Sequence, residues 1–181
     1  PLVPLQHGHI MISDRKLTPG GHWVSITRKI TRDAGFSPVK TAYLLALTGM
    51  SMTDGFIICW EAKYHYDYIR PVTVIREHFD PDWMPSLYTP NFPEYPSGHS
   101  VVSATAANIL TMEIGHPVAF TDSAEFPFGR GVRSFPDLIS AADEAAISRV
   151  YGGIHFKSAV DSGKIQGKNL SQFIHGKLHA N

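Results

Sequence analysis

Residues 96–117 read PSGHSVVSATAANILTMEIGHP, and this stretch decides the fold. From His99 to Ile114 the chain is rich in alanine and valine, with no glycine or proline to interrupt it. Ser97 can cap the first turn, and Gly115 with Pro117 provides the stop, so an α-helix is expected between them. Helical signals recur on both sides. Upstream, one helix is expected from His22-Trp23 to about Arg32, before Ala34-Gly35. A second opens after Ser37 with Pro38 at its first position, and Ala42, Leu45, Ala46, Gly49 and Met50 follow a 3.6-residue period. A third runs from about Met52 to Ile69 and ends at Arg70-Pro71, because the residue before proline avoids the helical region. Downstream, Ser134 or Pro136 begins a helix through Arg149 that Gly152-Gly153 breaks. A last helix is expected from Lys157 to Gly176, with Val160, Gly163, Gly167, Leu170 and Ile174 on one face. No alternating strand pattern competes, so the fold class is all-α, a compact helical bundle. Residues 1–21, punctuated by Pro1, Pro4, Pro19, Gly20 and Gly21, read as an extended arm; 22–176 form the bundle and 177–181 a tail.

Composition narrows the function classes. A chain of 181 residues suits one domain with a substantial core. Sixteen basic side chains balance sixteen acidic ones, so no global field favours nucleic acid or an anionic membrane, and any anion site must be a local cluster. The single cysteine, Cys59, excludes an intrachain disulfide framework and a multi-thiolate metal site; inside Phe56-Ile57-Ile58-Cys59-Trp60 it reads as a buried, inert thiol. The longest apolar run, Ala42 to Met52, is interrupted by Thr48, Gly49 and Ser51 and falls short of the ~18 residues of a membrane span, so no transmembrane segment is expected. The chain begins at Pro1 without a signal peptide, as expected of a processed, truncated or interior piece. Residues 77–97 hold five prolines among many aromatics, and an ordered wall near a functional site is expected there.

Three separated segments carry the chemistry. Lys63 and Arg70 lie seven residues apart, nearly two helical turns, and are expected to project from one face amid Trp60, Tyr64, Tyr66 and Tyr68. Arginine offers a planar fork to oxyanion edges, and lysine adds a point charge. Pro96-Ser97-Gly98-His99 sits at an expected helix N-terminus, where unfilled amides and the dipole favour an anion. Gly98 permits close approach, Ser97 adds a hydroxyl besides its plain role as a cap, and His99 has the titration range of an acid/base group. Ser148-Arg149 ends a helix, and Gly152-Gly153 turns the chain so that His155 returns toward the same place. Together these segments suit a compact tetrahedral or trigonal-bipyramidal oxyanion.

In order, these motifs resemble the signature Lys-X6-Arg-Pro, Pro-Ser-Gly-His, Ser-Arg-X5-His. It is shared by the vanadium-dependent haloperoxidases, the type 2 phosphatidic acid phosphatases and the bacterial non-specific acid phosphatases. The resemblance covers roughly residues 50–165 and implies a helical-bundle catalytic domain. It implies that Lys63, Arg70, Ser97, Gly98, His99 and Arg149 bind vanadate or phosphate. His155 would be the metal ligand or phosphate nucleophile, and Lys63, His99 and His155 the catalytic residues. An aspartate often stands four residues after the last histidine, where this chain has Ala159; Asp161 or another carboxylate is expected to orient His155 instead.

Trp60, three before Lys63, and Phe92, seven before His99, fall where the chloroperoxidase branch places aromatics of the halide pocket. The run Phe92-Pro-Glu-Tyr-Pro-Ser-Gly-His99 is similar to that branch too. The resemblance therefore implies a vanadate cofactor, with hydrogen peroxide, a halide (iodide or bromide before chloride) and an organic acceptor as partners. It also implies association with a missing N-terminal half or a homo-oligomer. Two alternatives stay open: an acid phosphatase using a phosphohistidine at the same site, and a catalytically silent phosphate-binding domain. Other histidines read as bystanders: His7 and His9 lie in the arm, and His175 and His179, four apart, suit a metal on a helix but read as a frayed tail. Gly129-Arg130-Gly131 is too short for a nucleotide loop. His65 and Asp67 read as exposed or as support to the cationic pair, and Glu94 is not counted among the site residues.

Overall fold

The computed structural model describes residues 17–180. Six α-helices carry the described chain: α1 (Pro19–Asp33), α2 (Pro38–Tyr66), α3 (Pro71–His78), α4 (Gly98–Ile114), α5 (Leu138–Tyr151) and α6 (Lys157–Leu178). The expected all-α class holds, with one addition. Strands β1 (Phe120–Asp122) and β2 (Arg133–Phe135) form a three-rung antiparallel ladder that the sequence reading missed, being too short to display a period.

α4 is the axis of the bundle, and α1, α2, α5 and α6 all pack on it. Val101, Val102, Ala106, Ala107 and Ile109 are fully buried along it. At one end the core is closed by Trp23, Ile26 and Ile30 of α1, Leu44 and Leu47 of α2, and Leu138 of α5. Trp23 donates its indole N–H to the Ser103 hydroxyl at 3.0 Å, which fixes α1 against α4. α6 lies closest to α4. A Cβ added at Gly163 would sit 2.8 Å from the Ser97 carbonyl oxygen, and one at Gly167 would collide with the Val101 carbonyl. The backbones approach so nearly that only glycine fits at these two positions.

Several boundaries differ from expectation. Thr18 caps α1 through the Gly21 amide, so Pro19, Gly20 and Gly21 form a first helical turn rather than the end of an arm. Proline at the first position needs no amide donor there. Residues 1–16 of the expected arm, with His7 and His9, lie outside the described residues.

The expected second and third helices are one, α2, because nothing between Met50 and Met52 breaks the hydrogen-bond ladder. By length and composition the stretch 38–78, which α2 and α3 share, contains a window long and apolar enough to cross a membrane, where the sequence reading expects no span. α2 packs into the bundle through Leu44, Leu47, Thr48, Ser51, Met52, Gly55 and Cys59. Of the face expected from Ala42, Leu45, Ala46, Gly49 and Met50, Leu45 and Gly49 are half-buried and Ala42, Ala46 and Met50 are exposed, Met50 by 66 %.

α2 also stops earlier than Ile69. Asp67 adopts the left-handed conformation (φ 46°), and the chain runs extended into Arg70, which precedes the proline that starts α3. α6 continues to Leu178, past the expected end at Gly176 and into the expected tail. Residues 79–97 form the expected irregular ordered segment, with a cis Tyr95–Pro96 bond.

Candidate functional site: a buried cationic cradle

Three cations are buried: Lys63 on α2, Arg70 at the cap of α3 and Arg149 on α5. Lys63 and Arg149 are fully buried and Arg70 is 6 % exposed. Burial of a cation in a bundle is costly unless groups converge on it. For two of them, the proline-rich segment supplies those groups. Lys63 donates its ammonium to the carbonyls of Pro93 (2.8 Å) and Glu94 (3.0 Å). Arg70 forks across the carbonyls of Phe92 and Pro93, donates to Ile154 O at 2.7 Å, and reaches His155 Nε2 with Nη1 at 3.2 Å. Lys63 and Arg70 thus converge from two elements, α2 and the cap of α3, not from one helical face as expected. The turn at Asp67 between them makes this possible.

Arg149 is different. Its Nε donates to the Ser148 hydroxyl at 3.0 Å, yet Nη1 and Nη2 have no hydrogen-bond partner among the described residues. A buried guanidinium with two unfilled edges is the arrangement an oxyanion completes. Burial lowers all three cations: Lys63 to about 8, and Arg70 and Arg149 each to about 10.

The motif serine and glycine lie at the start of α4. Ser97 caps the helix through the Ser100 amide (3.4 Å), the plain role foreseen for it, and its own N–H donates to Ala159 O of α6. Gly98 is the first helical residue, whose amide has no acceptor within the helix. A Cβ there would stand 3.2 Å from the Trp60 ring, so glycine lets that ring pack directly on the start of α4. Trp60 and Phe92 pair with ring centroids 5.1 Å apart, and the Lys63 ammonium lies 5.8 Å and 5.2 Å from the two centroids. These contacts bring Trp60, Lys63, Arg70, Phe92, Gly98 and His155 into one neighbourhood. His99 is 5 % exposed and lines a cavity of about 50 Å³ with Trp23, Ser103, His22 and Glu125.

Glu94, not counted among the site residues by the sequence reading, holds His155. Its Oε1 accepts from Phe156 N at 3.0 Å and lies 2.6 Å from His155 Nδ1, with both side chains 1 % exposed. The Arg70 guanidinium can only donate, so Nε2 accepts with its lone pair and Nδ1 carries the proton that it donates to Glu94. Burial raises the Glu94 carboxyl, opposed by the Phe156 amide and by Arg70 and Lys63. Asp161, the expected alternative, instead pairs with Lys157 on the exposed side of α6 at 2.5 Å. Ala159, in the position of the usual aspartate, is buried against α4. The signal for Glu94 was present: a lone carboxylate between prolines, three residues before Ser97.

His65 and Asp67 are exposed, and Asp67 serves only to cap α2. Cys59 is buried, and burial pushes its thiol up to about 11, consistent with an inert thiol.

Comparison with known proteins places the geometry in context. Residues 43–180 match the family described as the VCPO second helical-bundle domain. A structure titled as that of the first bacterial vanadium-dependent iodoperoxidase superposes with a TM-score of 0.88 at 47 % identity, over 91 % of this chain and 40 % of that one. A holo-type bacterial vanadium-dependent chloroperoxidase shares the fold at a TM-score of 0.72 and 21 % identity, over 87 % of this chain and 40 % of its own. The vanadium chloroperoxidase of Curvularia inaequalis is 33 % identical over 95 residues, 42 % of this chain and 16 % of that protein. The chain therefore spans well under half the length of these relatives.

Proposed function

The chain belongs to the vanadium haloperoxidase family, and from that premise we propose that it forms the vanadate-binding half of an enzyme that oxidises halide with hydrogen peroxide. Iodide or bromide is the favoured halide, supported by the 47 % identity to a protein described as an iodoperoxidase. The observation that carries the proposal is the unfilled guanidinium edge of buried Arg149, whose main-chain carbonyl accepts from Ile154 N while Arg70 bonds Ile154 O, next to the His155 that Glu94 holds. A dianion would fill the free edge and offset the charge.

Vanadate or phosphate fits the donor set: two guanidinium groups, an ammonium, the Gly98 amide and an imidazole lone pair. Arg149, Lys63, Arg70, Ser97 and Gly98 would hold the oxygens, and His155 Nε2 would face the central atom. Bound vanadate would supply a Lewis-acid centre that activates peroxide toward halide. The chain's own groups do the rest. Glu94 keeps the His155 proton on Nδ1, Lys63 adds positive charge beside the oxyanion, and His99 moves protons at the cavity side of α4. Trp60 and Phe92 exclude water and offer ring edges to a polarisable halide. Further chain, or a second copy, is expected to complete the enclosure, supported by the exposed apolar residues Val39, Met50 and Ile57 on α2.

The test supplies orthovanadate, peroxide and iodide or bromide to the purified chain. Halide oxidation that requires vanadate and is lost in His155→Ala is the expected result. Phosphomonoester hydrolysis without vanadate would instead mark a phosphatase, and no turnover with retained phosphate binding a silent domain.

A further inference from the structure

We propose that Glu113, His175 and His179 form a binding site for one divalent transition-metal ion of the zinc type, remote from the anion cradle. His175 and His179 stand four residues apart near the end of α6, so both rings leave the same face. Opposite them, Glu113 projects from the last turn of α4. One ligand atom from each of the three lies within 4.8 Å of the others. This differs from the frayed tail expected from sequence, because α6 remains helical through Leu178 and docks both imidazoles onto a carboxylate.

The carboxylate is already prepared as a ligand. The Glu113 side chain is only 3 % exposed, and its Oε2 accepts the Tyr43 hydroxyl at 2.9 Å, which fixes the plane of the group. Its Oε1 is shared by His175 Nδ1 at 2.8 Å and His179 Nε2 at 2.9 Å. Burial raises the Glu113 carboxyl, but bonds from His179, His175 and Tyr43 outweigh it and hold the group below its usual range. The C-terminal ends of α4 and α6 both lie here, and their carbonyl ends favour a cation. A cation is in fact drawn to the spot: Lys40 donates its ammonium to the Glu113 main-chain carbonyl at 3.3 Å.

Two imidazoles and one carboxylate form a donor set suited to zinc, with copper, nickel and cobalt as chemical neighbours. Tetrahedral binding sets donor atoms roughly 3.3 Å apart, so the two imidazoles must retreat from Oε1 by a few tenths of an ångström. They can, since the rings are 33 % and 54 % exposed, and that same opening admits a water as fourth ligand. The metal takes the two ring nitrogens that now face Oε1, on the lone pairs left there once their protons have moved. The proton now on each of those nitrogens moves to the other ring nitrogen or, from a charged imidazole, to solvent. Glu113 is 14 residues from His99 along α4, or roughly 21 Å at 1.5 Å per residue. The ion would therefore staple α4 to α6, and through Tyr43 to α2, without touching the cradle.

The test uses the chelator-stripped full chain and zinc alone, titrated against a competing chromophoric chelator. One equivalent binding at micromolar affinity or tighter is expected, with a thermal midpoint that rises with zinc. Cobalt(II) should give the visible absorption of a four-coordinate nitrogen–oxygen site. His175→Gln and His179→Gln each keep an N–H donor for Glu113 but lose the ring nitrogen. Each should weaken zinc binding at least tenfold, and together they should remove the site. His179→Gln alone, at the exposed end of α6, gives the same reading should the double variant not fold. No saturable zinc binding, or undiminished affinity in these variants, would overturn the proposal.

Discussion

Replacing Glu94 with glutamine isolates what this carboxylate does for His155. The amide keeps an oxygen that can accept from Nδ1 and from the Phe156 amide, so the shape of the cradle should survive. What disappears is the negative charge 2.6 Å from the imidazole. That charge fixes the proton on Nδ1 and strengthens Nε2 as a donor to a bound metal. Partners of this kind typically contribute ten- to a hundredfold to metal affinity, equal to about 1.4–2.7 kcal/mol. Vanadate affinity of Glu94→Gln should therefore fall by about one to two orders of magnitude, with unchanged helix content.

Glu94→Ala is a harsher variant. It strands the His155 and Phe156 N–H groups at about 1–3 kcal/mol each, and loss of fold would then obscure the reading. Asp161→Asn is the proper control, because Asp161 pairs with Lys157 and not with His155; its vanadate affinity should match the parent within twofold. Binding is read by vanadium NMR or by competition with phosphate. Equal affinity in the parent and in Glu94→Gln, while His155→Ala abolishes binding, would refute the reasoning.

Further outcomes are expected of the same fold. Arg149→Met removes a buried, half-satisfied guanidinium, and should raise anion-free stability by about 1–3 kcal/mol while abolishing vanadate binding; a lower midpoint in denaturant would show that Arg149 is internally compensated. Lys63 is lowered by burial to about 8, so oxyanion affinity should decline as pH rises through that value and stay flat in Lys63→Met. His22 carries a proton more tightly folded than unfolded, about 9 against 6.5: burial alone would lower it, but the 2.6 Å bond to Asp122 and the nearby Glu125 carboxylate outweigh that. Its contribution is complete below about 6.5 and lost as pH rises through about 9; His22→Gln should flatten that slope in urea titrations. Gly167→Ala places a methyl against the Val101 carbonyl, and should destabilise by about 1–3 kcal/mol in thermal melts unless α6 can slide away from α4.

How far the sequence could be read depended on the range of the interaction involved. The α4 boundaries were legible because a cap, an uninterrupted apolar run and a glycine stop are local signals. The motif residues were legible because each lies beside a local marker: Arg70 before proline, Ser97 at a cap, Arg149 at a helix end. The buried face of α2 was not legible. Ala42, Ala46 and Met50 share a period with one another, but so do Leu44, Leu47 and Ser51, and only packing on α4 selects between the two stripes. Glu94 stood out as a lone carboxylate between prolines, but which side chain it holds was not legible, for a related reason. It meets His155 across 61 residues of sequence, and no local pattern reports such a pairing. The αL turn at Asp67 was missed because it falls at an aspartate, which tolerates positive φ without announcing it as glycine would.

The bonding of Arg70 explains why the cradle has two kinds of cation. All five of its N–H groups are in use: three on the carbonyls of Phe92 and Pro93, one on Ile154 O, one on His155 Nε2. Four of these bonds hold the wall of the site to the segment that carries His155. The contact to Nε2 is the one outside that bracing, and giving it up frees both a donor and the imidazole lone pair at once. Arg149 has no such second duty, since beyond Ser148 its guanidinium has no hydrogen-bond partner among the described residues. An arriving oxyanion would thus find Arg149 ready and would have to displace Arg70 Nη1 from His155. Capture by Arg149 would come first, and engagement of His155 second. Arg70→Lys would lose the fork that braces Phe92, Pro93 and Ile154, so its first symptom should be a loosened wall, seen as faster amide exchange at residues 92–94 and 154–156, before any change in the charge offered to the anion.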